Sequence, residues 1–283
     1  MKKLTAAFAA AVLALAMLTS CSTAGQVDAT TEAPTTTAPT TTTTTRTTEN
    51  LSTTFKEAQT AKIYPVLKKD NSSGYNNRLS TYTTHYLTSN ETRTTNIKNA
   101  VKRLNNLVIP DGAVFSFNQV VGKRTVLAGY QEAKVVQGDE FVDGLGGGIC
   151  QVSSTIFQAA LRANLDITVR ACHSLEISYV PLGGDATVQW NSQDFQFRNN
   201  SGSDIRLKVT AENGDLVCSV YAEKDISVGN VKVKITKQGD SYTLTRTVDG
   251  KENYTTYSKY KKPKTTTTKK DSKTTAKTTA KKS

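Results

Sequence analysis

Histidine is scarce in this chain: its 283 residues hold two, His85 and His173, and four cysteines. None of these six cluster at the short spacings of a zinc site, so no metal and no cofactor is expected. Gly144, Gly146 and Gly148 miss the dinucleotide-binding pattern because Ile149 stands where its last glycine belongs. A phosphate-binding P-loop is absent, and Ser153 and Ser154 lack the Gly-x-Ser-x-Gly elbow of a serine hydrolase. No apolar run is long enough to span a bilayer; the longest, residues 6–18, falls short. Nucleotide-dependent, zinc-dependent and integral-membrane classes are thereby set aside.

That short apolar run follows Lys2 and Lys3 and ends in Leu18-Thr19-Ser20-Cys21, so residues 1–21 read as a targeting signal. The closing tetrapeptide looks like a bacterial lipobox, with Cys21 as the acylated residue. The expected location is extracytoplasmic, lipid-anchored to the bacterial cell membrane. Two or more acyl chains hold a protein firmly, at about 0.8 kcal/mol per buried CH₂. Residues 22–50 are mostly Thr and Pro with few apolar side chains, and read as a disordered stalk. Extended like polyproline, that stretch reaches roughly 90 Å. Residues 51–84 carry only a scattered apolar signal and read as transitional.

Residues 85–224 hold the expected folded domain, of ordinary size for one core. Ile97, Ala100, Val101 and Leu104 recur at helical spacing, which predicts an amphipathic helix near residues 95–106. Alternation predicts strands at residues 114–117, 133–136, 140–142, 167–173, 186–190, 205–211 and 216–220, with Asn213-Gly214 as a hairpin turn. Residues 225–260 read as a small β extension. From residue 261 the chain is mainly Lys and Thr. Ten lysines from Lys259 onward, less Asp271, give +9 of the formal +12. That basic tail suits anionic wall polymers or lipid rather than nucleic acid, because no aromatic platform accompanies it. The fold class is α+β: two helices on a mostly antiparallel sheet, with disordered ends.

The chemistry concentrates at Gly146-Gly147-Gly148-Ile149-Cys150-Gln151-Val152-Ser153. Three glycines are costly to order and mark a tight turn or a close approach. Val152, Ile156, Phe157, Ala160 and Leu161 follow at helical spacing, which puts Cys150 in the first turn of a helix. Free N–H groups and the positive dipole end favour a thiolate there. His173 shares strand parity with Ile167, Val169 and Ala171, and so points toward that helix if this face packs beneath it. A histidine beside a helix-terminal cysteine, oriented by a third polar group, is the arrangement of papain-like and transglutaminase-like enzymes. Asp185 is the first candidate for the third group and Asp194 the second, although Asp185 has the wrong parity if it lies on a strand with Ala186 and Val188. Gln151 suits an oxyanion hole or a packing role. Three cysteines follow Cys21; Cys172 and Cys218 both fall on expected strands, and would bridge only if those strands were neighbours.

Taken together, several pieces resemble the VanW family. They are Ile109-Pro110-Asp111-Gly112, Phe115-Ser116-Phe117-Asn118 with Gly122, Gly129-Tyr130, the Gly146 to Ser153 stretch, His173-Ser174, Tyr179-Val180-Pro181, Asp185-Ala186-Thr187 and Phe197-Arg198-Asn199. Their order fits over residues 85–224, and the Gly-Gly-Gly-Ile-Cys-Gln piece is the most specific. The chain departs in reading Pro-Asp-Gly where Pro-Gly is common. The resemblance implies a cell-envelope role, linked to peptidoglycan and vancomycin resistance, but supplies no reaction. Two classes follow. One is a cysteine-dependent hydrolase or acyl transferase on wall-peptide amides, using Cys150, His173 and Asp185. The other is a non-catalytic domain that binds wall peptide or wall precursor, with the glycine turn as a rigid lip.

Overall fold

The computed structural model describes residues 65–262. The targeting signal, Cys21, the stalk and most of the basic tail lie outside these residues. The fold is α+β. Its main sheet is antiparallel, with strands in the order β1 (Asn77–His85), β9 (Asp215–Ala222), β8 (Ile205–Glu212) and β2 (Leu107–Ile109). Strands β8 and β9 form a hairpin in which Asn213 and Gly214 both take positive φ (51° and 89°), the twist a two-residue turn requires.

Two helices cover one face of this sheet. Helix α1 (Glu91–Leu104) begins earlier than its apolar spacing suggests, because the Asn90 side chain accepts the Arg93 N–H and caps it. It buries Ile97, Ala100, Val101 and Leu104 against β8. A short helix α2 (Phe117–Val121) follows β3 (Val114–Ser116). The hairpin β4 (Glu132–Gln137) and β5 (Glu140–Leu145) leads into helix α3 (Ile149–Arg162), which lies on β1 and β9. Strand β6 (Asp166–Val169) joins β7 (Gln196–Arg198) and β3 in a small sheet. Phe115, Phe157, Phe195 and Phe197 interlock between that sheet and α3, with centroids 4.8–6.2 Å apart.

The remaining strands, β10 (Val231–Gln238), β11 (Ser241–Val248) and β12 (Lys251–Lys259), form a separate antiparallel sheet. It is fastened to the rest through buried Arg246, whose Nη1 donates to Leu165 O (2.7 Å) and Leu161 O (3.3 Å). Those carbonyls close the end of α3 and the turn after it.

Three sequence expectations need correction. Strand β1 lies in the stretch read as transitional. The strand expected over residues 167–173 stops at Val169, so Cys172 and His173 sit in a loop. Residues 186–190 form no strand; Gln189 meets Gln193 across a tight turn instead. Cys150, Cys172 and Cys218 are all free thiols, with Cys218 buried in β9 and no bridge to the Cys172 loop.

Candidate functional site

The glycine run explains where Cys150 stands. Gly146 and Gly148 take φ of +84° and +108°, conformations that side-chain-bearing residues resist. Gly147 is forced by contact, since a Cβ there would lie 2.7–2.8 Å from Ala133 Cβ, Ala133 C and Lys134 O of β4. Asn96 of α1 holds the turn by donating to Gly147 O (3.0 Å) and Gln131 O (2.9 Å), and by accepting Gln131 N–H (2.8 Å). The chain therefore turns within van der Waals reach of a strand and enters α3 at Ile149. Cys150 occupies the first turn of that helix, half-buried.

His173 and Asp185 arrive on irregular backbone. Thr187 N–H donates to Ala171 O (2.9 Å), which runs the two segments side by side. Ala186 is pinned to α3: its N–H donates to Ser154 Oγ (2.9 Å), and its carbonyl accepts from Ser153 Oγ (2.5 Å). Asp185 Oδ2 accepts both the His173 backbone N–H (2.7 Å) and His173 Nδ1 (2.6 Å). Its parity is not an obstacle, because no strand runs through this segment. Both side chains are buried.

The Cys150 thiol lies against the same segment, with Sγ 3.4 Å from Val188 O and 3.5 Å from Thr187 Oγ1. Burial alone would push this thiol up, but the influence of the His173 imidazolium, with the contacts to Val188 O and Thr187 Oγ1, outweighs it and brings the thiol down to about 7. Burial would lower the imidazole, yet the hydrogen bond to Asp185 and the interaction with Cys150 raise it to about 10. Burial likewise opposes the Asp185 carboxylate, and its bonds to His173, with the Arg170 charge and the Tyr260 hydroxyl, hold it below its usual value. Above about pH 7 the favoured state is a thiolate beside an imidazolium, backed by a carboxylate.

Other sequence candidates take different places. Gln151 is buried and saturated: Nε2 donates to His85 O (2.8 Å) and Thr84 Oγ1 (3.1 Å), and Oε1 accepts from Arg93 Nη2 (2.8 Å). It ties α3 to β1 and α1 and is not free to stabilise an oxyanion. Ser153 serves the Ala186 loop. Asp194 accepts from Ser116 Oγ (2.6 Å) and Asn118 N–H (2.9 Å), and so caps α2 away from His173. His85 is exposed, paired with Asp215 at 2.7 Å.

Sequence reasoning missed four neighbours. The Tyr179 hydroxyl lies 3.3 Å from His173 Nε2. Arg93 and Arg124 lay their stems against Gly148 and Gly146, where a Cβ would meet each side chain at 3.0–3.1 Å. Arg170, an outward residue on a strand pattern, has a side chain only 2% exposed and pairs with Asp185 Oδ1 at 3.2 Å. A polar residue among alternating apolar ones carries no sign of that role. Among the described residues no group of His, Cys, Asp and Glu could hold a metal ion, and no helix is long and apolar enough to cross a membrane.

A cysteine at a helix N-terminus, with a buried His–Asp pair across a glycine turn, defines the kind of domain this is. The VanW family model, described as VanW like protein, matches residues 92–221, so that region of the chain is VanW-like. Uncharacterized protein YoaR of Bacillus subtilis (strain 168) is 41% identical over 150 residues, 53% of this chain and 50% of its own length. Vancomycin B-type resistance protein VanW of Enterococcus faecalis is 30% identical over 139 residues, 47% of this chain and 50% of its own. The chain thus spans about half the length of these curated relatives. No solved structure matches it significantly.

Proposed function

We propose that this protein works on the cell wall as a cysteine-dependent hydrolase or acyl transferase of wall-peptide amides. It is held outside the cell by a lipid on Cys21, with its basic tail against anionic wall polymers. The observation that carries the chemistry is Asp185 Oδ2 bonding both the backbone N–H and Nδ1 of His173, beside a helix-terminal Cys150. The name of the Enterococcus relative, a vancomycin B-type resistance protein, supports the wall as the place of action.

In this reading the Cys150 thiolate attacks the amide carbonyl carbon and forms a C–S bond. The imidazolium gives its proton to the amide nitrogen as the C–N bond breaks, so a neutral amine leaves. Neutral His173 then takes a proton from water, or from an acceptor amine, as that nucleophile attacks the thioester. The C–S bond breaks, a carboxylic acid or a new amide departs, and the thiolate–imidazolium pair returns. Asp185 keeps Nδ1 protonated, so Nε2 faces the reacting atoms.

One observation favours binding without catalysis: the Tyr179 hydroxyl already occupies His173 Nε2. Digestion of purified wall separates the two readings. Wild-type protein is expected to release fragments with new carboxyl and amine ends, or exchanged amides, seen by mass spectrometry, and Cys150→Ser to release none. Wall left undigested by the wild-type protein would leave only the binding reading, and equal release by both proteins would remove Cys150 as the nucleophile.

A further inference from the structure

The β10–β12 sheet lies outside residues 92–221, the part of the chain that the family model covers. Its last strand nevertheless runs to the centre of the site. The Tyr260 hydroxyl donates to Asp185 Oδ1 (2.5 Å) and accepts Gly183 N–H (2.6 Å). Lys261 N–H donates to Ser174 O (2.7 Å), one residue past His173, and Lys261 pairs with Leu175 as a short parallel bridge. Arg170 closes the other side. Its Nη2 reaches Asp185 Oδ1 (3.2 Å) and Ser258 Oγ (2.8 Å), and its Nη1 reaches Tyr257 O (3.0 Å). The turn at Gly183 completes the joint, because a Cβ there would meet Tyr242 Cβ at 2.9 Å and Ile235 Cγ2 at 3.1 Å.

We propose that this sheet is part of the site, and that Tyr260 is a positioning residue acting on His173 through Asp185. The proposal rests on reading Cys150, His173 and Asp185 as one site. The carboxylate has two oxygens and two duties. Oδ2 holds the imidazole and the His173 backbone, while Oδ1 is held by Tyr260 and Arg170. Fixing Oδ1 fixes the plane of the carboxylate, and so the direction from which Oδ2 meets Nδ1. Burial and the adjacent carboxylate push the Tyr260 hydroxyl well above its ordinary value, so it stays a donor. Without that donor a fully buried oxygen loses its short bond, the carboxylate is freer to turn, and its grip on the imidazolium weakens.

The test is Tyr260→Phe in the full chain, with Tyr242→Phe as control. Tyr242 lies in the same sheet, its ring centroid 5.6 Å from that of Tyr260, and it makes no bond to Asp185. The readout is the NMR titration of the His173 imidazole, assigned against a His85→Gln variant. Tyr260→Phe is expected to lower the His173 midpoint by about one unit, because the loosened Asp185 carboxylate holds the imidazolium less tightly. It is also expected to slow iodoacetamide labelling of Cys150 at pH 6.5 by severalfold, while Tyr242→Phe changes neither. Should Tyr260→Phe fail to fold, Ser258→Ala, which frees Arg170 from the same strand, is read in the same way and expected to move His173 in the same direction. An unmoved His173 midpoint in the folded variant overturns the proposal, even if the melting temperature falls. A His173 midpoint that moves as expected while wild-type Cys150 resists labelling upholds the positioning role and removes the nucleophile instead.

Discussion

Asp185 accepts four hydrogen bonds on two oxygens while fully buried, and those bonds set the charge of its neighbours. A carboxylate can stay ionised there only because His173, Arg170 and Tyr260 replace the lost water. The sign of the pH dependence follows. The Cys150 thiol is lowered to about 7, so thiolate is present above that pH and is lost as pH falls through it. His173 is raised to about 10, so the imidazolium persists up to that pH and is lost above it. Between the two lies the window in which nucleophile and proton donor coexist. The three residues could be singled out in the sequence because cysteine and histidine are rare in this chain and Cys150 follows a glycine run. Arg170 and Tyr260 could not, since a basic residue on a strand and a tyrosine beside a lysine-rich tail are indistinguishable from surface. Gln151 has the composition of an oxyanion donor, but three neighbours use up its amide.

At the scale of elements, α3 and the β8–β9 hairpin were readable because apolar side chains mark their buried faces at regular spacing. Strand β1 was not. The side chains it buries most fully are Ser80 and Thr84, which bond to Ala159 O and Thr155 Oγ1 on α3 (both 2.8 Å), so its inner face has no apolar alternation. The loop bearing His173 was misread as strand for the converse reason: alternation continues past Val169 while the backbone leaves the ladder. The glycine turn carries a prediction of its own. Gly147→Ala puts a methyl against the backbone of β4 and is expected to cost about 1–3 kcal/mol, as overpacking does. Gly138→Ala, at φ +60° with open space around it, is expected to cost about 1–2 kcal/mol, from the left-handed backbone alone. Thermal unfolding should therefore show a lowered Tm in both variants, with Cys150 labelling disturbed only in Gly147→Ala. Unchanged labelling and an unchanged Tm in Gly147→Ala would contradict the close-approach account of the turn.

Across the whole molecule, the family-matched region and the β10–β12 sheet meet at Asp185 and Arg170 through Tyr260 and Ser258, while the proposed lipid on Cys21 would set where the protein works. A lipid at Cys21 and about 90 Å of extended stalk would place the domain within the wall. Cys21→Ala is accordingly expected to move the protein from the membrane fraction to the medium, judged by fractionation and immunoblot; undiminished membrane retention would rule out the lipid anchor. The central claim concerns Cys150 and can be measured in one protein with its own controls. In the folded chain, iodoacetamide labelling followed by peptide mass spectrometry reports Cys150, Cys172 and Cys218 separately. Burial pushes Cys218 up to about 12, so it should react last. Cys150 is expected to react first, with a rate midpoint near pH 7 rather than the free thiol's value of about 8.5, and to lose that advantage in a folded His173→Ala variant. A Cys150 that stays unlabelled until the protein is denatured would contradict the nucleophile assignment.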